Sequence, residues 1–152
     1  MTLIAEPRTL LREYPPAQPS DAASLFAAKL RCECDPYDVY TDLLNEIAGV
    51  IVVDTRSRDL YVAAHIPGAI SLPYRLIDET TTAQFPKDSL IVTYCDGVGC
   101  NASTKGALRF ARLGFEVKEM LGGIDWWIRD GHAVASGVER GSITQSAIVC
   151  GC

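Results

Sequence analysis

The chain is short of positive charge and of long apolar runs. Its 14 Lys and Arg are outnumbered by 19 Asp and Glu, for a net charge of −5 and an isoelectric point near 5.0. Phosphate recognition needs concentrated positive charge, so no nucleic-acid partner is expected. No apolar run approaches the ~18 residues that cross a bilayer, so no membrane span is expected either. The N-terminus, MTLIAEPRTLL, holds a brief apolar patch without a basic region and a long apolar core behind it. A secretory signal is therefore not expected, and a reducing cytoplasm is the default location. Internal repeats and low-complexity segments are absent from the sequence as well.

What is present is an ordinary globular composition, 48% hydrophobic and 22% charged over 152 residues, enough for one α/β domain with a buried core. Six cysteines are unusual in that setting, and they fall in pairs: Cys32-x-Cys34, Cys95-x4-Cys100 and Cys150-x-Cys152. Without an export signal, chemistry or metal binding is weighed before a disulfide framework.

Residues 1–19 carry Pro7, Pro15, Pro16 and Pro19 and read as an irregular extension. A domain is expected over 20–137, with a tail over 138–152. Ser20 or Asp21 can cap a helix carrying Leu25, Phe26 and Leu30, and Arg31 to Cys34 reads as a short edge strand. Asp35, Pro36 and Asp38 form a strong helix start, with Val39, Tyr40, Leu43 and Ile47 on the inner face and Gly49 at the far end. Val50 to Val53 is an unbroken β-branched run that suits a parallel strand covered on both sides, and Asp54 ends it.

The segment Leu90 to Leu113, LIVTYCDGVGCNASTKGALRFARL, is the chemical centre of the sequence. An apolar strand leads into Cys95, a glycine-containing loop follows, and a helix begins near Ala102. Strand, cysteine, loop and helix N-terminus in that order can activate a thiol and cradle an anion on backbone N–H groups. On the helix, Ala107, Leu108, Phe110 and Ala111 are expected to face the core, and Lys105, Arg109 and Arg112 form a solvated basic stripe. Asn101, Ser103 and Thr104 are expected to cap the helix and shape the loop. A strand over Phe115 to Leu121 and a closing helix with Trp126 and Trp127 complete an alternating α/β pattern. Its expected form is three layers, with a mainly parallel five-stranded sheet between helices.

Asp54-Thr-Arg56, Tyr61 and His65-Ile-Pro-Gly-Ala69 resemble the first-half signature of rhodanese-like domains. Tyr94-Cys95 with its loop and helix resembles their active-site segment, and Gly122-Gly123-Ile124 with Trp127 their closing motif. The resemblance covers roughly Pro36 to Val134. It implies a single sulfurtransferase domain in which Cys95 carries a persulfide, with Asp96, Gly97, Val98, Gly99, Cys100, Asn101, Ala102 and Ser103 as the substrate loop. The implied partners are a small sulfur-containing donor and a thiol or cyanide acceptor, a low-molecular-weight or protein thiol among them. Neither a cofactor nor a metal is implied.

One departure stands out. The family loop is Cys-x4-Arg, and here Cys100 occupies the arginine position. A dianion such as thiosulfate would have only loop N–H groups and Lys105 to neutralise it. Cys100 is either a resolving thiol for a Cys95 persulfide or a neutral space-filler. Asp54 and Arg56 are read as a buried ion pair bracing the loop rather than as substrate contacts, and His65 as a turn anchor rather than a base. The outer Cys-x-Cys pairs are read as free thiols, with joint closure by metal or disulfide as the alternative if 146–149 forms a strand beside 31–34. The competing functions are a dithiol redox or arsenate/phosphate enzyme using Cys95 with Cys100, and a non-catalytic binding module.

Overall fold

The computed structural model describes residues 9–143, which fall into two compact units divided between Leu30 and Arg31. The first unit holds a 3-10 turn at Leu10–Arg12 and most of helix α1 (Pro19–Cys32). Proline opens α1 in place of the expected serine or aspartate cap; its fixed φ and missing N–H suit a first turn. Leu25, Phe26 and Leu30 are exposed. The helix also absorbs Arg31 and Cys32, so the expected edge strand shortens to β1 (Glu33–Cys34).

The second unit is built on five strands: β1, β2 (Val50–Asp54), β3 (Ile70–Ser71), β4 (Leu90–Tyr94) and β5 (Glu116–Met120). Their order is β1-β5-β4-β2-β3 and every pairing is parallel. The apolar run at Val50 lies between β4 and β3, and its two faces are both covered, Val52 in one core cluster and Val53 in the other. Alternation then sends neighbours to opposite sides. Val52, Val92, Tyr94 and Met120 pack with Val39 and Tyr40 of α2 (Pro36–Leu44) and with Ile124 and Trp127 of α6 (Gly123–Arg129). Val53 and Ile91 face the other way, onto Phe110 of α5 (Ala102–Arg112), Phe115, Phe85 and Ile77. The result is the three-layer α/β architecture expected.

Local signals explain the element ends. Asp35 accepts a 2.8 Å hydrogen bond from Asp38 N and caps α2 as read. The helix stops at Leu44, because Glu46 takes a positive φ of 50°, and Ile47 ends up exposed instead of on the inner face. Short helices α3 (Arg58–Ala63) and α4 (Glu79–Thr82) are capped by Ser57 and by an Asp78–Thr81 capping box.

The inner face of α5 differs from expectation. Ser103, Gly106 and Phe110 are buried, whereas Leu108 and Ala111 are exposed and Ala107 is half-buried. The reason is closeness of approach: a Cβ at Gly106 would sit 2.7 Å from Thr55 Cγ2. The helix turns Gly106 to this close contact and leaves Leu108 in water.

Candidate active site

Cys95 follows β4 directly and is 1% exposed. Its position is fixed from two sides. On one, the start of α6 clasps the loop: Ile124 N donates to Cys95 O at 2.9 Å and Asp125 N to Asp96 O at 2.9 Å. Gly122 and Gly123 reach this clasp with φ of 77° and 59°, and a Cβ at Gly123 would lie 2.4 Å from Cys95 O. Glycine is required there on both counts.

On the other side stands a buried charged network. Arg56 donates from Nε to both Asp54 oxygens at 2.9 and 3.2 Å and from Nη2 to Asp54 Oδ2 at 2.7 Å. Its Nη2 also reaches Ala64 O at 2.6 Å, and its Nη1 reaches Asp96 Oδ1 at 3.0 Å. Burial opposes the Arg56 charge, but the hydrogen bonds and negative charge of Asp54 outweigh it and raise the pKa. Tyr94 OH donates to Asp54 at 2.7 Å and accepts from Ile66 N at 3.1 Å. The network ties β2, β4 and Asp96 together, and neither Asp54 nor Arg56 lines the cleft over the thiol.

That cleft holds about 440 Å³ and is bounded by Cys95, the loop from Gly97 to Asn101, Ser103, Thr104, Glu119 and the turn from Met120 to Gly123. No lysine or arginine lines it. Lys105 lies instead over the Tyr74 ring, 5.3 Å from its centroid. Across the loop, a more open depression of about 880 Å³ includes Asp96, Trp126 and the Asp125–Arg129 ion pair.

The environment of the sulfur departs from the expected nest of amides. Carbonyls face it: Cys100 O at 3.2 Å and Gly97 O at 3.8 Å. The Cys100 N–H is taken by Gly97 O at 3.0 Å. Ser103 Oγ lies 3.0 Å from the sulfur, and the Ser103 backbone also hydrogen-bonds it. Burial pushes the Cys95 thiol pKa up, the two Ser103 contacts pull it down, and the neighbouring Cys100 thiol raises it; the net direction is upward. The resting site therefore favours a thiol, contrary to the activation read from the sequence.

The α5 cap also differs. Asn101 stands at the cap position with no side-chain hydrogen bond, and the hydroxyls of Ser103 and Thr104 turn to Glu119 Oε1 at 2.7 and 2.9 Å. Glu119 was not among the residues singled out by sequence. The signal available was its phase: it follows Val117 by two on β5, so both share the α5 face, and it sits near the strand's C-terminal end.

His65 is fully buried away from the cleft. Its Nδ1 meets Tyr61 O at 2.8 Å, its Nε2 meets Glu139 O at 3.1 Å, and its ring stacks on Tyr61. These contacts pin the segment after α3 to residues 135–140, the part of a turn anchor. Cys32 is exposed, and Cys34 hydrogen-bonds Glu119 O at 3.8 Å. Burial and nearby Asp38 push the Cys34 thiol up to about 12. Cys150 and Cys152 lie outside the described residues, as does the strand considered over 146–149. Among the described residues, no group of three or more His, Cys, Asp or Glu side chains could hold a metal ion. No described helix is long and apolar enough to cross a membrane.

Residues 38–130 match the rhodanese-like domain family model. An HTH-type transcriptional regulator of Mycobacterium tuberculosis is 37% identical over 97 residues, covering 63% of this chain and 42% of the regulator. The chain thus spans less than half the length of that relative. Among solved structures, a Bacillus halodurans protein is 38% identical, with a TM-score of 0.76 over 86% of this chain and 96% of that one. A thiosulfate sulfurtransferase of Pseudomonas aeruginosa shares the fold, with a TM-score of 0.62 at 21% identity over 79% of this chain and 23% of that one.

Proposed function

Since this chain belongs to the rhodanese-like domain family, we propose that it is a sulfurtransferase that carries a sulfane sulfur on Cys95. The observation that carries the reading is the thiol itself, held at the end of β4 beneath a clasped loop and opening on a cleft. The thiolate of Cys95 attacks the outer sulfur of a donor persulfide, R–S–SH. The donor S–S bond breaks, Cys95–S–SH forms, and the leaving thiolate takes up a proton to depart as R–SH. A thiol or cyanide acceptor then removes the outer sulfur and returns Cys95. Cytoplasmic placement belongs to the same proposal, because the cycle needs reduced cysteine.

The cleft lining bears on the donor. With no basic side chain around Cys95, an uncharged or weakly charged low-molecular-weight persulfide suits it better than thiosulfate. A second reading rests on the neighbouring Cys100, whose carbonyl lies 3.2 Å from Cys95 Sγ and whose thiol raises the Cys95 pKa. There Cys100 attacks the inner sulfur of the Cys95 persulfide, forming a Cys95–Cys100 disulfide and expelling hydrosulfide; an external dithiol must then reduce the disulfide.

Intact mass of the reduced full chain after exposure to glutathione persulfide, polysulfide and thiosulfate tests both. A gain of one sulfur, abolished in Cys95→Ser, is expected with glutathione persulfide, and less with the two compact dianions. Longer retention in Cys100→Ser supports the resolving thiol. Failure to load from any donor overturns sulfur transfer and leaves a rhodanese-like binding module.

A further inference from the structure

A serine hydroxyl carries one proton, and at Ser103 two groups lie within reach of it. Ser103 Oγ is 2.7 Å from Glu119 Oε1, to which it donates, and 3.0 Å from Cys95 Sγ. With its proton committed to a carboxylate, Ser103 accepts at the sulfur; the hydroxyl lowers the thiol pKa only when it turns to donate there. The contact then requires Cys95 to be S–H. The loop carbonyls Cys100 O and Gly97 O are acceptors too, and against them stands the Ser103 backbone contact, which lowers the thiol pKa.

We propose that Glu119 is a positioning residue for the nucleophile, which holds Cys95 as a thiol by drawing the Ser103 proton to its own carboxylate. The thiolate forms when the Cys95 proton leaves through the cleft to water and Ser103 turns its hydroxyl hydrogen from Glu119 to the sulfur. No covalent bond other than S–H breaks in this step. Glu119 keeps the Thr104 hydroxyl, which donates to the same oxygen at 2.9 Å, so its carboxylate is not stranded.

The surrounding charges leave Glu119 as the acidic group in contact with this hydroxyl. Asp96 is turned to Arg56, Asp125 pairs with Arg129, and Lys105 lies on Tyr74. Glu33 is the register partner of Glu119 on β1, and Lys118 lines a separate pocket with Cys34. Cys100 faces the thiol from the loop. The proposal rests on Cys95 being the reactive thiol of the domain, and it adds the group that sets its protonation.

The test is the rate of Cys95 alkylation by iodoacetamide in the reduced full chain from about pH 5 to about pH 10, across the thiol range. Fragmenting the 88–105 peptide separates Cys95 from Cys100. Glu119→Gln removes the charge, with Glu119→Ala beside it should the amide misfold. Either is expected to lower the apparent Cys95 pKa by about one unit and raise alkylation about tenfold at neutral pH. In a Ser103→Ala background the gain is expected to vanish, because the effect passes through the hydroxyl. An unchanged profile overturns the proposal, as does a gain that persists without Ser103, which would mark through-space charge alone. Persulfide loading is read separately. Its absence from every variant overturns sulfur transfer while the alkylation profiles still decide the role of Glu119.

Discussion

Truncating Arg56 to alanine should unfold the domain more readily than any change at the exposed end of the same network. Asp54 is 0% exposed and takes three side-chain hydrogen bonds from Arg56. Removing the guanidinium leaves that carboxylate with only the Arg56 backbone N–H and the Tyr94 hydroxyl as donors, and no opposite charge. Breaking a buried ion pair from one side costs about 3–5 kcal/mol, against a total stability of about 5–15 kcal/mol for a domain. The Asp96 contact of the same arginine behaves differently. Its carboxylate is 54% exposed, so Asp96→Asn should cost less than ~1 kcal/mol. Removing both buried charges together, as Asp54→Asn with Arg56→Met, should recover part of the loss. Urea unfolding followed by tryptophan fluorescence measures all three. A loss below ~1 kcal/mol for Arg56→Ala, or equal losses for Arg56→Ala and Asp96→Asn, would refute the assignment of this network as the brace.

Two further outcomes follow from the geometry. Gly123→Ala meets both a φ of 59° and a 2.4 Å approach to Cys95 O, whereas Gly114→Ala meets a φ of 84° with nothing within 4 Å. Gly114→Ala should therefore cost only the left-handed penalty of about 1–2 kcal/mol, and Gly123→Ala clearly more, with an altered Cys95 alkylation rate; equal urea midpoints would contradict this. Cys34, pushed up to about 12 from 9.0, should resist iodoacetamide near pH 10 while exposed Cys32 reacts. Because the folded state holds that proton more tightly, its contribution to stability is complete below about pH 9 and lost as pH rises through about 12.

The fold was legible in the sequence because its strong signals are local and periodic. Val50 to Val53 reads as a covered strand by composition, and Asp35-Pro36 with Asp38 reads as a helix start by capping chemistry. The inner face of α5 was not legible. Apolar character favoured Leu108, but the close approach of Thr55 to Gly106 decided the rotation, and that is a tertiary fact. Within the site, Cys95 could be singled out from its place between strand and loop. The direction of the loop carbonyls could not, since it depends on Cys100 N–H bonding to Gly97 O. Glu119 escaped notice because a polar residue in a short, half-buried strand looks like an ordinary solvent-facing position. Only the register of β5 against β4 and the start of α5 bring it to the thiol.

The absent arginine also changes what a donor meets on arrival. Arg56, which reaches the loop at Asp96, is already matched by Asp54 and Asp96, so that trio contributes no positive field. In the cleft itself the charged lining residue is Glu119. A dianion brought within about 6 Å of one carboxylate, at an effective dielectric near 20, is disfavoured by about 5 kcal/mol. That is more than three powers of ten in affinity, and no lining side chain offsets it. A donor whose reacting end is a protonated S–SH brings no charge to the carboxylate there, and that S–H can itself donate to a cleft acceptor. The same carboxylate that holds Cys95 protonated would thus also discriminate between donors. Glu119→Gln should therefore narrow the gap between thiosulfate and glutathione persulfide in loading rate, and an unchanged ratio would separate donor choice from control of the thiol.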